Sequence, residues 1–524
     1  MKKIIYFLFI LLLLTGCKEE HTHVYKELVI NPTCTSNGYI LHVCDCGDQY
    51  QDNESLKLEH SYINGICERC GEKIDYTSNN LEYVLNEDQL SYSVVGIGSC
   101  LDTKVIIPSE YNSLPVTSIK DAAFKNIVNL EKLIIPDSII MVGKNILKGV
   151  DTIESITMPY IYGGYIGYLF GAESSSYNSS SVPNSLKEIK ITQETNVLKN
   201  AFSNCTNIES VEFVRNLVEI EKNAFYNCKQ LNNIVLPESL VRIHENAFYD
   251  CINLETVYFN GYYDSWFNVL LDSKYSTPMY YGSHFFYKND NLYEELINIE
   301  IPQQVTNLND FQLYGFKSVT SILINNELKG IGTESLNNLL SLEQFITLDN
   351  DLYESVDGVL YTKNLEQLIS YPCSKKDSVY TINPNTLIIC DGAFLNNKYI
   401  EEIHFNDKVN TIGKFAFSYC SNLKSCILPN NVEIIEEGLF KNCENLINVY
   451  LHDSITSINT SAFELCVNLE SIYIPISVNI IEAYAFRNCS KLTIYCEAGS
   501  KPSGWVSSYW NVYPSCPVLW DQKR

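Results

Sequence analysis

From about residue 80 to 500 the apolar positions recur with a period far longer than the 3.6 of a helix or the 2 of a strand. The dipeptide Ala-Phe marks it. Copies stand at Ala201-Phe202, Ala224-Phe225 and Ala247-Phe248, then at Ala393-Phe394, Ala416-Phe417, Ala462-Phe463 and Ala485-Phe486, with neighbours in each run 23 residues or a multiple apart. Ala123-Phe124 is an earlier copy, and Leu439-Phe440, Ile146-Leu147, Leu169-Phe170, Gln312-Leu313 and Ser335-Leu336 fill the same slot. Each copy has one frame. In the last full one Ile458 is followed by Ala462-Phe463, Cys466, Asn468-Leu469, Ile472, Ile474-Pro475, Val478 and Ile481.

This frame predicts one strand and one turn per copy. Leu469 to Ile474 alternates apolar and polar, as a strand with one buried face does. The Ala-Phe segment reads as a short helical or turn piece on the other side. A single copy cannot bury its own apolar face, so copies must stack. The expected fold is a repeat solenoid of about 23 residues per rung with a parallel sheet on one face. About fourteen rungs are expected from the copies.

Stacking also explains most of the cysteines. Cys205, Cys228, Cys251, Cys420, Cys443, Cys466 and Cys489 each lie three residues after their Phe slot, where Ile127, Phe316 and Leu339 stand in other copies. A slot shared by cysteine and plain hydrophobes calls for buried apolar bulk, which free cysteine supplies. A disulfide between adjacent rungs is the competing reading. Cys426 falls on the strand slot of Ile472 and is expected in the core. Asn207, Asn253, Asn422, Asn445 and Asn468 form a second column, expected to satisfy backbone groups of the next rung.

The pattern Ile-x-x-x-Ala-Phe-x-x-Cys-x-Asn-Leu-x-x-Ile-x-Ile-Pro resembles that of the BspA-like leucine-rich-repeat surface proteins, over roughly residues 80 to 500. Leu81-Glu82-Tyr83, Gly96 to Cys100 and Ile107-Pro108 resemble the strand-rich start of such arrays. Asp357-Gly358-Val359-Leu360-Tyr361 resembles a hairpin they insert, and Ser503-Gly504-Trp505 with Trp510-Asn511 their last turn. The resemblance implies an extracellular protein of adhesion or protein recognition, without fixing a ligand. The array is placed at 80–516, with inserts near 160–185, 260–298 and 350–380. Inserts in a solenoid are expected to project as loops. The first two are rich in tyrosine, and exposed Tyr and Trp dominate binding hot spots. Tyr162, Tyr165, Tyr168, Trp266, Tyr280 and Tyr281 are therefore the candidate ligand contacts, together with the exposed face of the sheet; packing of these aromatics onto their own rungs is the alternative.

The first residues set the compartment. Lys2 and Lys3 precede an apolar run from Ile4 to Leu14, the length of a signal-peptide core and too short to span a bilayer. It ends in Leu14-Thr15-Gly16-Cys17, which resembles a bacterial lipobox. Residues 1–17 are thus expected to be a lipoprotein signal peptide, with Cys17 lipidated and the chain anchored to the outer face of a bacterial membrane. A signal peptide that is simply removed is the alternative. The formal net charge of -25 argues against nucleic acid as a partner.

Residues 18–75 differ in composition and form a small head. Cys44-Asp45-Cys46-Gly47 and Cys67-Glu68-Arg69-Cys70-Gly71 look like two metal knuckles, and two such pairs match zinc-ribbon logic. A structural zinc on Cys44, Cys46, Cys67 and Cys70 is expected, with Cys34, His23 and His60 as further candidates. Disulfides, favoured by an oxidising exterior, are the alternative. Either would fold a segment too small for a large core.

No HExxH, phosphate loop or nucleophile elbow occurs, and the remaining histidines, His244, His284, His404 and His452, are scattered over different rungs. The chain is not expected to be an enzyme. The leading reading is a lipid-anchored surface protein that binds an extracellular protein or glycan. The alternative is an envelope scaffold with no host ligand, and an enzyme with its site in an insert ranks last.

Overall fold

The computed structural model describes residues 77–506 except 291, together with 509–511 and 516–523, and in the head residues 24–30, 32, 37–44, 48–55, 62–63 and 66–67. It divides into two units, 1–77 and 78–524. In the head, Tyr25–Ile30, Gly38–Cys44 and Gln49–Ser55 form an antiparallel sheet, and Tyr62–Ile63 pairs with Ile66–Cys67.

In the second unit each rung begins with a strand such as Ser471–Ile474. Side chains alternate across it, so Ile472 and Ile474 enter the core while Ser471 and Tyr473 face outward. Pro475 ends the strand, Val478 turns inward, and the short strand Ile480–Ile481 makes a second side. The Ala-Phe segment closes the rung as a turn, not a helix. Its backbone also joins the ladder between rungs: Phe202 N–H donates to Ala224 O at 2.8 Å, Phe225 N–H to Ala247 O at 2.8 Å and Phe463 N–H to Ala485 O at 2.8 Å. The Phe rings stack through the core, from Phe202–Phe225 at 4.9 Å to Phe463–Phe486 at 5.3 Å between centroids.

The rungs number about 18, more than the expected fourteen. Their strands lie in a sheet running from Lys104–Ile106 to His284–Asn289, a three-stranded sheet Asn298–Glu300, Ser321–Ile324 and Gln344–Thr347, and a sheet running from Val379–Thr381 to Val518–Leu519. The excess comes from rungs such as His284–Asn289 and Val518–Leu519, whose strands pair in parallel although no Ala-Phe turn follows them. The strand-rich start is present as Glu82–Leu85 paired antiparallel with Tyr92–Gly96. The hairpin is also present: Tyr353–Val356 pairs with Val359–Thr362 around Asp357 and Gly358, both at positive φ as a two-residue hairpin turn requires. Trp505 and Trp510 are buried at the last rung, 5.1 Å apart, with Trp510 6.2 Å from Phe486.

The first two inserts do not project as loops. Residues 160–185 fold back as short helical turns whose Tyr162, Leu169 and Phe170 are buried. Asn178 locks them down. Its Oδ1 accepts from Gly167 N–H at 3.0 Å and its Nδ2 donates to Ala201 O at 3.1 Å and Ser203 O at 3.2 Å. In residues 260–298 the turn Tyr263–Asn268 carries Trp266 into the core against Phe259, Phe285 and Phe316. Each insert carries its own apolar side chains, and burying them on the neighbouring rungs removes more surface from water than projection would.

Candidate functional site

The aromatic residues proposed as ligand contacts divide by burial. Trp266 is 1% exposed and its indole N–H donates to Gln312 O at 3.1 Å, so it is core and not a contact. Tyr162 is also buried, its hydroxyl donating to Ile139 O at 2.9 Å, and burial pushes its phenol well above the ordinary value. Tyr165 and Tyr168 are half-buried and donate to Ala172 O at 3.0 Å and Val142 O at 3.1 Å. Tyrosine side chains here fill space and satisfy carbonyls.

Tyr280 and Tyr281 belong to something larger. Tyr226 and Tyr249 stack at 5.6 Å, Tyr249 meets Tyr275 at 5.0 Å, Tyr275 meets Tyr280 at 4.8 Å, and Tyr280 meets Tyr281 at 4.8 Å and Tyr314 at 5.8 Å. The second insert thus supplies the middle of a tyrosine row that continues from rung to rung. Two of these contacts are stacked, Tyr226–Tyr249 and Tyr280–Tyr314, and the others are edge-on or tilted.

A second aromatic row lies on the outward face of the C-terminal sheet. There Ile427 pairs in register with Tyr450, Tyr473 with Tyr495, and Tyr495 with Leu519. Ile427 is 73% exposed and Tyr450 51%. A parallel sheet is usually covered on both faces; this one leaves Ile427, Tyr450 and Leu519 exposed, with Tyr473 and Tyr495 half-buried between them and the Tyr473 hydroxyl donating to Gln522 O. Sequence reading named the exposed face but not these residues. The signal was available, since Ile427, Tyr450 and Tyr473 follow at 23-residue steps on the polar phase of the strand alternation.

The repeat cysteines are buried free thiols, as the shared slot implied. One feature was not legible: the thiols of Cys228, Cys251, Cys420, Cys443, Cys466 and Cys489 each donate to the carbonyl of the Phe in the preceding rung. Cys228 reaches Phe202 O at 3.0 Å, Cys443 Phe417 O at 3.1 Å and Cys489 Phe463 O at 2.9 Å. Burial pushes the Cys251 thiol up to about 12 and that of Cys443 well above its ordinary value, which makes both poor nucleophiles. The asparagine column at Asn207, Asn253, Asn422, Asn445 and Asn468 lies at the surface or half-buried, and of these five side chains Asn422 bonds a backbone carbonyl of another rung, Lys398 O at 2.6 Å. The asparagines that shape the backbone stand instead two residues after Phe: Asn126, Asn204, Asn227, Asn396, Asn442 and Asn488 all have φ near +60°.

In the head, Cys44 is buried at the end of its strand, its N–H donating to Asp48 O at 2.8 Å, and Cys67 ends the last short strand. Cys17, His23, Cys34, Cys46, His60 and Cys70 lie outside the described residues. Among the described residues no three His, Cys, Asp or Glu side chains are grouped to hold a metal, and no helix is long and apolar enough to cross a membrane.

Comparison with known proteins bears on both the array and the leader. Residues 1–17 match the prokaryotic membrane lipoprotein lipid attachment site, which makes the chain a lipid-anchored cell-surface protein. Similar solved structures include a leucine-rich cell surface protein from Faecalibacterium prausnitzii, 22% identical over 83% of this chain and 95% of that one, with a TM-score of 0.43. The pneumococcal vaccine antigen PcpA is 19% identical over 84% and 90%, TM-score 0.34. A leucine-rich-repeat protein from Bacteroides ovatus is 20% identical over 80% and 99%, TM-score 0.32. No curated protein matches the chain. Residues 99–192, 176–268, 281–372 and 369–493 match the BspA type leucine rich repeat region, and with most of its length in that match the chain belongs to the BspA-type leucine-rich-repeat family.

Proposed function

We propose that this lipid-anchored protein recognises an extracellular protein, or a glycoprotein of a host or neighbouring cell, through the outward face of its C-terminal sheet. The observation that carries the reading is the row Ile427, Tyr450, Tyr473, Tyr495 and Leu519. Contiguous exposed apolar side chains mark interaction surfaces, and tyrosine gives large contact area for little lost side-chain freedom. The test is binding of the full chain to immobilised matrix and mucosal glycoproteins. Saturable binding at about micromolar or tighter is expected, which is about 8 kcal/mol of affinity. The double variant Ile427→Ser, Tyr450→Ser should weaken it at least about tenfold while leaving the fold intact, because both side chains already face solvent. Binding that survives the double variant places the contact elsewhere. No binding to any of these proteins favours an envelope scaffold.

For the head we propose a structural zinc held by Cys44, Cys46, Cys67 and Cys70. The support is the spacing of the two cysteine pairs. Four thiolates would close the coordination sphere and leave no open position for chemistry. Metal analysis of the full chain should find one zinc per molecule, lost when Cys67 and Cys70 are both replaced by serine. A metal-free chain whose head thiols are oxidised would establish disulfides instead.

A further inference from the structure

The outward face of the C-terminal sheet carries a second column beside its aromatic row. On the strands Ser425–Ile427, Asn448–Tyr450, Ser471–Ile474 and Thr493–Cys496 the register partners Ser425, Asn448, Ser471 and Thr493 follow one another, one per rung. Two residues further along the same strands stand Ile427, Tyr450, Tyr473 and Tyr495. No outward side chain on these four strands is charged, in a chain whose formal net charge is -25. The uncharged stretch ends at the neighbouring strand, where His404 and Glu402 bond each other at 2.8 Å.

The other two sheets use their outward faces differently. In the first, Lys190 and Glu212 are register partners joined as an ion pair at 2.9 Å, and Ser210 donates to Asn233 Oδ1 at 2.6 Å. In the middle sheet Ser321 donates to Asn298 Oδ1 at 2.7 Å. Ser425, Asn448 and Ser471 repeat the same residue types in register, yet among the described residues no side chain of the column Ser425, Asn448, Ser471 and Thr493 makes a hydrogen bond. Asn448 is exposed and the three hydroxyl side chains are half-buried. Their donors and acceptors are thus open to a ligand, directly beside the row of large apolar side chains.

Such a face suits a ligand that is rich in hydroxyls and has no charge. A pyranose ring has an apolar C–H face and a rim of hydroxyls. It can lie on Tyr450, which is 51% exposed, while its rim meets the polar column. The spacing agrees. Rungs repeat at about 4.8 Å, close to the advance of one sugar unit along an extended glycan, whereas an extended polypeptide advances about 3.3 Å per residue and falls out of step with them. An anionic glycan is repelled by the net charge of the chain.

We propose that this face receives an uncharged, extended glycan laid across the rungs, one sugar unit per rung. Its C–H faces rest on Ile427 and the tyrosine rings, and its hydroxyls exchange hydrogen bonds with Ser425, Asn448, Ser471 and Thr493. The proposal rests on the reading that this face binds a glycoprotein, and it assigns the contact to the sugar and not to the polypeptide.

The test measures binding of the full chain to immobilised gastric mucin by surface plasmon resonance. Mild periodate cleaves the vicinal diols of the mucin sugars and leaves peptide bonds intact, and it should abolish binding. Sialidase, which removes charged terminal sugars, should leave binding unchanged or raise it. The variant Asn448→Ala, Ser471→Ala keeps the aromatic row and should weaken binding about tenfold, two hydrogen bonds being worth about that together. Tyr450→Phe, which keeps the ring, should bind as the wild type does, and Tyr450→Ser should not. These side chains face solvent, so the melting midpoint of each variant should match the wild type. Binding that survives periodate, that is lost with sialidase, or that the Asn448→Ala, Ser471→Ala variant leaves unchanged overturns the proposal, as does no binding to untreated mucin. If Ile427→Ser, Tyr450→Ser abolishes a binding that periodate spares, the face holds polypeptide, and the reading beneath the proposal stands without it. If mucin and the matrix glycoproteins all fail to bind, that reading falls as well.

Discussion

At the residue scale the repeat is written in backbone conformation as much as in apolar pattern. Two residues after the Phe slot the chain turns through the left-handed region, which glycine and asparagine enter at little cost. Gly149, Gly315 and the asparagines named above obey this, but Leu465 occupies the same place at φ +65°. A left-handed conformation costs an ordinary residue about 1–2 kcal/mol. Leu465→Asn is therefore expected to raise stability by about 1 kcal/mol, read as a higher denaturation midpoint; a lower midpoint would mean that the packing of the half-buried leucine outweighs its backbone strain. The cysteine slot carries a second layer of the same kind. Isoleucine and leucine fill its volume in other rungs, yet only cysteine can also give a hydrogen bond to the Phe carbonyl behind it, as Cys466 does to Phe440 O at 3.0 Å.

At the scale of elements, the inserts change meaning once their packing is visible. Trp266 is worth about 3–5 kcal/mol to the fold as a buried aromatic, and Trp266→Ala should lower the unfolding free energy by that much in a denaturant titration. An unfolding free energy left unchanged would return Trp266 to the surface and to the list of contacts. The strands and the stacking of the rungs were legible because they depend on local alternation and on an apolar frame repeated in phase, and the hairpin at Asp357-Gly358 because its residues resemble a hairpin that such arrays insert. The fate of the insert tyrosines was not, because composition alone does not say whether an aromatic faces its own rung or the solvent. Tyr162 and Tyr177 show the difference: they share one insert, and the first is 8% exposed and the second 53%. The number of rungs was underread for a related reason, since a strand such as His284–Asn289 joins the ladder without the turn motif that made the others visible. The row at Ile427 and Tyr450 could have been read by following the outward phase of the strands at the repeat interval.

At the scale of the whole molecule, a leader with a lipid attachment site and an array of BspA-type repeats make a surface protein, and its acidic charge disfavours anionic partners. Its buried residues form two apolar clusters, one running from Leu81 to Leu360 and the other from Val359 to Cys516, meeting at the inserted hairpin. The outward row belongs to the second array. The central claim is recognition through the outward face of the C-terminal sheet. Its most direct test is retention of bacteria displaying the full lipid-anchored chain on a surface coated with the glycoprotein that the purified chain binds. Cells with the wild-type protein should be held, and cells displaying equal amounts of the Ile427→Ser, Tyr450→Ser variant should wash away. Equal retention of both would contradict the account.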